Sequence, residues 1–215
     1  MRVFYSSELE PTHPLALACQ HLNIALTPQP LIRFEAINAA PKLPYEVIFF
    51  SSPRAYEFGR QFITPFSAVA CYAHGTAKHI NSPISWQGNT PGNPSQTAEE
   101  FHAWVGQRRV FFPVSDRSLG SITKVFSADQ IEVLSVYHTL LNPIRIPTCT
   151  VYIFTSPSNV ESFILVNSIP QGAHVIAWGD STATALLEAG IKVDLIQSGS
   201  DSLDWERILA PWVKP

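Results

Sequence analysis

Residues 152–160 read YIFTSPSNV: a strand-forming run meets Thr155-Ser156-Pro157, and Val160, Phe163 and Ile164 follow at helical spacing. A serine hydroxyl caps the unbonded N–H groups of a first helical turn. Proline suits that turn because its missing N–H would have had no partner there. The stretch therefore predicts a strand whose C-terminal end runs straight into a helix. Residues 46–58, EVIFFSSPRAYEF, follow the same grammar, with Ser51-Ser52-Pro53 at the corner and Tyr56 and Phe58 behind it. A second corner follows each of these. AVACYAHGTAKHI carries Gly75-Thr76-Ala77, and HVIAWGDSTATALLEAG carries Ser181-Thr182-Ala183. The latter parses as a strand over 174–178, a turn at Gly179-Asp180, a helix through Leu187 and a stop at Gly190, after which IKVDLI resumes as a strand.

Matched elements are offset by 104 to 106 residues, so the chain reads as two similar halves. Strand and helix alternate through each half, which predicts an α/β fold with two similar parallel-sheet domains. MRVFYSS supplies a further strand ending in a hydroxyl-bearing loop, and PLALACQHL the helix after it. LIRFEAI (31–37) and EVLSVYH (132–138) alternate in strand fashion and bracket the first repeat. If they pair, a two-stranded antiparallel ribbon (32–38 and 132–140) joins a discontinuous domain (1–33 and 142–215) to a continuous one (38–131). SWQGNTPGNPSQTAEE (85–100), rich in Gly, Pro, Asn and Ser, is expected to be an exposed loop.

Composition narrows the function. Apolar residues make up 46% of the chain and charged residues 14%, with a net charge of −3, so there is no electrostatic reason to expect nucleic acid. No apolar run approaches the ~20 residues of a membrane-spanning helix, and MRVFYSSELE has no signal-peptide pattern. A cytoplasmic monomer is the expectation. Cys19, Cys71 and Cys149 are scattered and the seven histidines dispersed, which predicts buried reduced thiols and neither a zinc site nor another metal site.

In open α/β sheets, ligands settle beyond the C-terminal ends of the strands. Ser51, Ser52, Thr76, Thr155, Ser156, Ser158, Ser181 and Thr182 are expected there, beside helix N-termini that favour anions. Many neutral donors and few cations suit a ligand with several carboxylates spread over a large area. Taken singly, each Ser-Pro is only a cap; the matched pairs carry the inference. Asp180 would repel such a ligand and is read as a helix cap. Arg54 and Lys78 fit solvated helix faces, and Trp178 and Tyr72 fit core packing.

FTSPSNVESF followed by AWGDSTATALLEAGIKVDLI resembles the uroporphyrinogen-III synthase family, whose usual pattern is FTSPSAVxxF and then AIGPTTAxALxxxG. FFSSPRAYEF is similar to the family's first TSPxAV corner, and HGTAKHI to its first GxxTA turn, with Ala73 where a glycine usually stands. PLIRFEAI looks like its first interdomain strand and VLSVYHT like the VYxT of its return strand. FFPVSDRSL resembles FPRGDxxRxxL, with Val114-Ser115 replacing Arg-Gly, and RVFYSSE stands where the family has an arginine-ending strand.

The resemblance implies a lyase that closes the linear tetrapyrrole hydroxymethylbilane, inverting its last ring and losing water, in tetrapyrrole (haem) biosynthesis. It implies no cofactor and a small-molecule tetrapyrrole as the only partner. The hydroxyls would hold substrate carboxylates, and Tyr137, matching the return-strand tyrosine, would assist departure of the hydroxyl group. Tyr137 as a packing residue remains open at this stage. So do a non-catalytic two-lobed module that holds a tetrapyrrole or other polycarboxylate, and a two-lobed sensor of a small anion.

Overall fold

A computed structural model describes residues 1–42, 44–90, 92–197 and 204–212. In chain order the strands are β1 (Arg2–Tyr5), β2 (Ala25–Pro28), β3 (Ile32–Ala36), β4 (Val47–Phe50), β5 (Ala68–Cys71), β6 (Ile84–Gln87), β7 (Val110–Ser115), β8 (Ile131–Leu141), β9 (Val151–Phe154), β10 (His174–Trp178) and β11 (Leu195–Gln197). The helices are α1 (Pro14–His21), α2 (Pro53–Gly59), α3 (His74–Ala77), α4 (Pro94–Val105), α5 (Pro157–Ile164), α6 (Asp180–Glu188) and α7 (Trp205–Leu209). The chain divides into unit 1, Met1–Arg33 with Leu140–Pro215, and unit 2, Phe34–Thr139.

Unit 1 holds the sheet β11-β10-β9-β1-β2, in which every recorded pairing is parallel. The other sheet runs β3-β8-β7-β4-β5-β6, parallel from β8 to β6. Superposing the two corner repeats sets β4 on β9 and β5 on β10. The strand orders then coincide throughout, with β6 on β11, β7 on β1 and β8 on β2. The halves are thus one sheet entered by the chain at different strands. β3 adds an edge beside β8: Ile37 N–H donates to Val136 O at 2.9 Å, and Asn142 N–H to Leu31 O at 2.8 Å. One strand rises through these pairings as the other falls, so the crossing ribbon is antiparallel.

The central strands VIFF and VYIF are buried at every position, as a parallel sheet covered on both faces requires. Alternate residues feed opposite cores. In unit 1, Val151 and Ile153 pack with Leu15, Trp205 and Leu209 of α1 and α7, while Tyr152 and Phe154 pack with Phe163 and Leu186 of α5 and α6. In unit 2, Val47 and Phe49 meet Phe101 and Val105 of α4, while Ile48 and Phe50 meet Tyr56 of α2 and Tyr137 of β8. Cys19, Cys71 and Cys149 are buried and free.

Three local expectations need correction. Residues 85–100 are not one loop: they hold the end of β6 and the first half of α4. Asn93 caps α4 by accepting from Gln96 N–H, and Pro94 opens it, so the Asn-Pro pair that suggested a loop is a helix start. Asp180 is the first residue of α6, not its cap; the cap is Gly179, with φ 84° and no side chain to offer. The strand after α6 begins only at Leu195, because the Asp194 side chain rather than a backbone carbonyl takes Val175 N–H, at 2.9 Å.

Candidate active site

In each unit, successive crossovers leave a pair of adjacent central strands in opposite directions, β1 and β9 in unit 1 and β7 and β4 in unit 2. Such a reversal opens a crevice at the strands' C-terminal ends, where ligands of open α/β sheets bind. The Ser-Pro corners stand at these two points.

In unit 1, Thr155 follows β9, and Ser156 caps α5 with extended backbone, accepting from Asn159 N–H at 3.3 Å. From the end of the neighbouring β1, Ser6 accepts Thr155 N–H at 2.8 Å, and the Ser6 and Thr155 hydroxyls lie 3.2 Å apart. Asn159, only 2% exposed, donates to Thr155 Oγ1 at 3.2 Å and to Ser156 Oγ at 2.9 Å. Ser158 is half-buried in the first turn of α5. At the companion corner Ser181 is exposed, but Thr182 is 1% exposed and its hydroxyl donates to Trp178 O at 2.9 Å. The Thr182 hydroxyl proton is therefore spent inside the fold, and Ser181 is the open hydroxyl there. Trp178 stacks on Trp205, the packing role expected of it.

In unit 2, Ser51 is exposed after β4, and Ser52 caps α2 by accepting Ala55 N–H at 3.1 Å. Tyr137, 6% exposed, reaches the Ser52 side chain from β8. Its ring stacks on Phe58, with centroids 4.9 Å apart, and meets Phe34 edge-on. Burial pushes the phenol above its ordinary pKa against the hydrogen bond with Ser52 and the charge of Arg54, so it is neutral at pH 7. Arg54 lies over the Phe34 ring and pairs with Glu57 at 2.6 Å. At the companion corner α3 is a single turn, its cap Ala73 has no donor or acceptor side chain, and Thr76 is buried.

Sequence reasoning singled out Tyr137, set His138 on the opposite face of the strand, and passed over Asp116. Asp116, just past β7, holds His138 at 2.8 Å, Thr139 N–H at 3.0 Å and Ser115 Oγ at 3.0 Å. Burial opposes ionisation of Asp116, but the donors His138, Thr139 N–H and Ser115 outweigh it and hold the carboxyl below its usual range. His138 thus faces away from the Tyr137 side, as strand alternation requires. Ser6 and Asn159 were also missed. The signal for Asn159 was available: it stands where the first corner has Ala55.

A cavity of about 580 Å³ in unit 1 lies at the other end of the sheet, near His174, Lys192 and Asp194. It is lined by Ile164 and Ala189 at the C-terminal ends of α5 and α6, whose outward carbonyls disfavour anions. Among the described residues no cluster of three or more His, Cys, Asp or Glu side chains could hold a metal ion, and no helix is long and apolar enough to cross a membrane.

The family model for uroporphyrinogen-III synthase HemD matches residues 14–202. The chain belongs to the uroporphyrinogen-III synthase family. The fold agrees: uroporphyrinogen-III synthetase from Helicobacter pylori 26695 is similar with a TM-score of 0.68 at 16% identity, over 99% of both chains. A mutant uroporphyrinogen III synthase from Thermus thermophilus is similar at 0.56 and 13% identity, over 99% of this chain and 97% of that one. No curated protein sequence matches. At such identities the structural likeness establishes the fold, and membership of the uroporphyrinogen-III synthase family rests on the sequence match.

Proposed function

We propose that this chain is a cyclising lyase that converts hydroxymethylbilane to uroporphyrinogen III, acting as a cytoplasmic monomer without metal or cofactor. The carrying observation is the family match across residues 14–202. The chemistry suits the side chains present. Carbon–oxygen cleavage releases hydroxide, and the electron pair of the adjacent pyrrole nitrogen stabilises the cation left behind. The substituted carbon of the last ring attacks that cation to give a spiro intermediate, which fragments and recloses with the ring inverted. A ring proton is lost, so water departs overall. The substrate supplies the electron push, so the protein needs no nucleophile; its task is to hold a flexible chain in the spiro geometry.

In this reading Ser51 of unit 2, and Thr155, Ser156, Ser158 and Ser181 of unit 1, take substrate carboxylates together with first-turn N–H groups of their helices, while Ser52, named with them from the sequence, spends its proton on Tyr137. Thr76 and Thr182, both buried, hold the companion corners in shape, Thr76 N–H by closing on Ala73 O and Thr182 through Trp178 O, so that the earlier first-turn N–H groups, those of Gly75 and Ser181 among them, are left for the ligand. Tyr137 donates its proton to the departing hydroxyl, which leaves as water, and the ring proton lost after reclosure returns to the phenolate. Ser52 accepts Ala55 N–H and offers its own proton to the phenol oxygen, which leaves the phenol proton for the leaving group.

The test is turnover of freshly generated hydroxymethylbilane, with the products oxidised and separated by isomer. Type III porphyrin is expected. Type I alone, at the uncatalysed rate, refutes the assignment.

A further inference from the structure

The two Ser-Pro corners differ at one buried position. Ser51, Ser52 and Pro53 match Thr155, Ser156 and Pro157, but Ala55 matches Asn159. An amide inside a helix N-terminus has to bond every polar atom it buries, and this one does. Leu31 N–H, arriving from the segment that leads into β3, donates to Asn159 Oδ1 at 3.2 Å. That bond fixes which way the amide points: turned over, its NH2 would meet the Leu31 N–H donor to donor. Nδ2 must therefore face the corner, where its two hydrogens go to Thr155 Oγ1 and Ser156 Oγ.

The consequence is a fixed polarity for both hydroxyls. Ser156 Oγ accepts from Asn159 Nδ2 at 2.9 Å and from Asn159 N–H at 3.3 Å, which fills both its lone pairs. Its proton can only be given away. Thr155 Oγ1 accepts from Asn159 Nδ2 and adjoins Ser6 Oγ. Ser6 is 1% exposed, so its own proton needs an acceptor inside the fold, and among the described residues the one within reach is Thr155 Oγ1; a bond in the other sense would bury the Ser6 proton without a partner. The lone pairs of Thr155 are then full as well. Two adjacent, half-buried hydroxyls are left as donors at the head of a helix.

We propose that Asn159 is a positioning residue that locks Thr155 and Ser156 as a hydrogen-bond donor pair, making this corner a seat for a substrate carboxylate. This rests on the function proposed above and adds a specificity to it: the corner accepts an ionised carboxylate and discriminates against a neutral hydroxyl or amide, which would need an acceptor in return. Holding a carboxylate away from the reacting ring stabilises bound substrate and transition state alike, so the effect belongs in KM rather than kcat.

Asn159→Ala frees the two hydroxyls to turn inward, and loss of charge-assisted bonds of this kind raises KM by about ten-fold with kcat retained. Asn159→Asp keeps the side chain's shape and the Leu31 bond, but offers an acceptor where the corner needs a donor. It draws both protons inward and adds a like charge, so its KM rises further than that of the alanine variant. A merely structural role predicts the reverse order, with the isosteric Asp nearer wild type and kcat falling along with melting temperature. An unchanged KM in Asn159→Ala, or a KM in Asn159→Asp no higher than in Asn159→Ala, overturns the proposal. If Asn159→Asp does not fold, the alanine variant decides alone. Binding of the fluorescent octacarboxylate uroporphyrin, ranked across the same variants, applies the test without turnover. A wild-type protein that forms only isomer I would thus sink the function and still leave this inference answerable.

Discussion

Tyr137→Phe separates chemistry from packing, because the substitution removes one oxygen and leaves the ring. The stack on Phe58 at 4.9 Å and the edge contact with Phe34 at 5.9 Å depend on that ring and survive. What goes is the hydrogen bond with Ser52, worth about 1 kcal/mol, or a fall in melting temperature of about 2–4 °C for a chain this long. If the phenol protonates the leaving hydroxyl, kcat falls about 100-fold, which is about 2.7 kcal/mol of barrier. Isomer-resolved steady-state kinetics alongside a thermal melt read the two effects apart. A kcat within about threefold of wild type, with the melt shifted as expected, would make Tyr137 a packing residue and refute the proton-donor role. The raised pKa adds a pH signature. The donor stays protonated as pH rises toward the ordinary tyrosine range, and the activity ascribed to it is lost only above about 10.

Ser52→Ala and Ser156→Ala each remove a helix cap and should cost about 1 kcal/mol, visible as a lower denaturation midpoint; no change in either would mean the cap bonds carry no stability. Gly88→Ala would set a methyl 2.2 Å from Tyr72 O and should destabilise strongly, whereas Gly75→Ala meets nothing within 4 Å and should be neutral or gain up to about 1 kcal/mol in the same assay. Burial pushes the Cys19 and Cys71 thiols from 9.0 up to about 11. The folded state therefore holds these protons more tightly than the unfolded chain does. That contribution is intact below about 9 and is lost as pH rises through about 11, so melting temperature should fall across this window, and the native thiols should resist a disulfide exchange reagent at neutral pH. A melting temperature flat to pH 11 would contradict the burial argument.

What the sequence discloses here is local chemistry. Ser156-Pro157 and Ser52-Pro53 announce helix starts because cap and proline act within one turn, and both helices begin where expected. The same rule misleads at Asn93-Pro94 when dense glycine and proline around it are weighed as loop signals. Strand order is not written locally at all. β1 lies between β2 and β9 because of pairings such as Val3 with Val151, which no window of residues contains. The site divides the same way. The exposure of Ser51 and Ser181 follows from their place at helix starts, but the inward turn of Thr182 depends on the Trp178 carbonyl one helical turn back. Asn159 escaped notice because its partners Leu31 and Thr155 meet only after the sheet has assembled, and Leu31 is 128 residues away.

The shared strand order with different points of entry has a consequence during synthesis. β4 to β8 leave the ribosome as an unbroken series, so the sheet of unit 2 is complete in the nascent chain while unit 1 still lacks three of its strands. Until Val151–Phe154 emerges, β1 has an open edge and Val3, Phe4 and Tyr5 lack part of their cover. Domains generally fold as units during translation, and unit 1 must wait for the last third of the chain, Leu140–Pro215. A polypeptide released early would therefore carry one finished half and one sticky, half-dressed strand pair, the kind of unfinished edge that chaperones and proteases recognise.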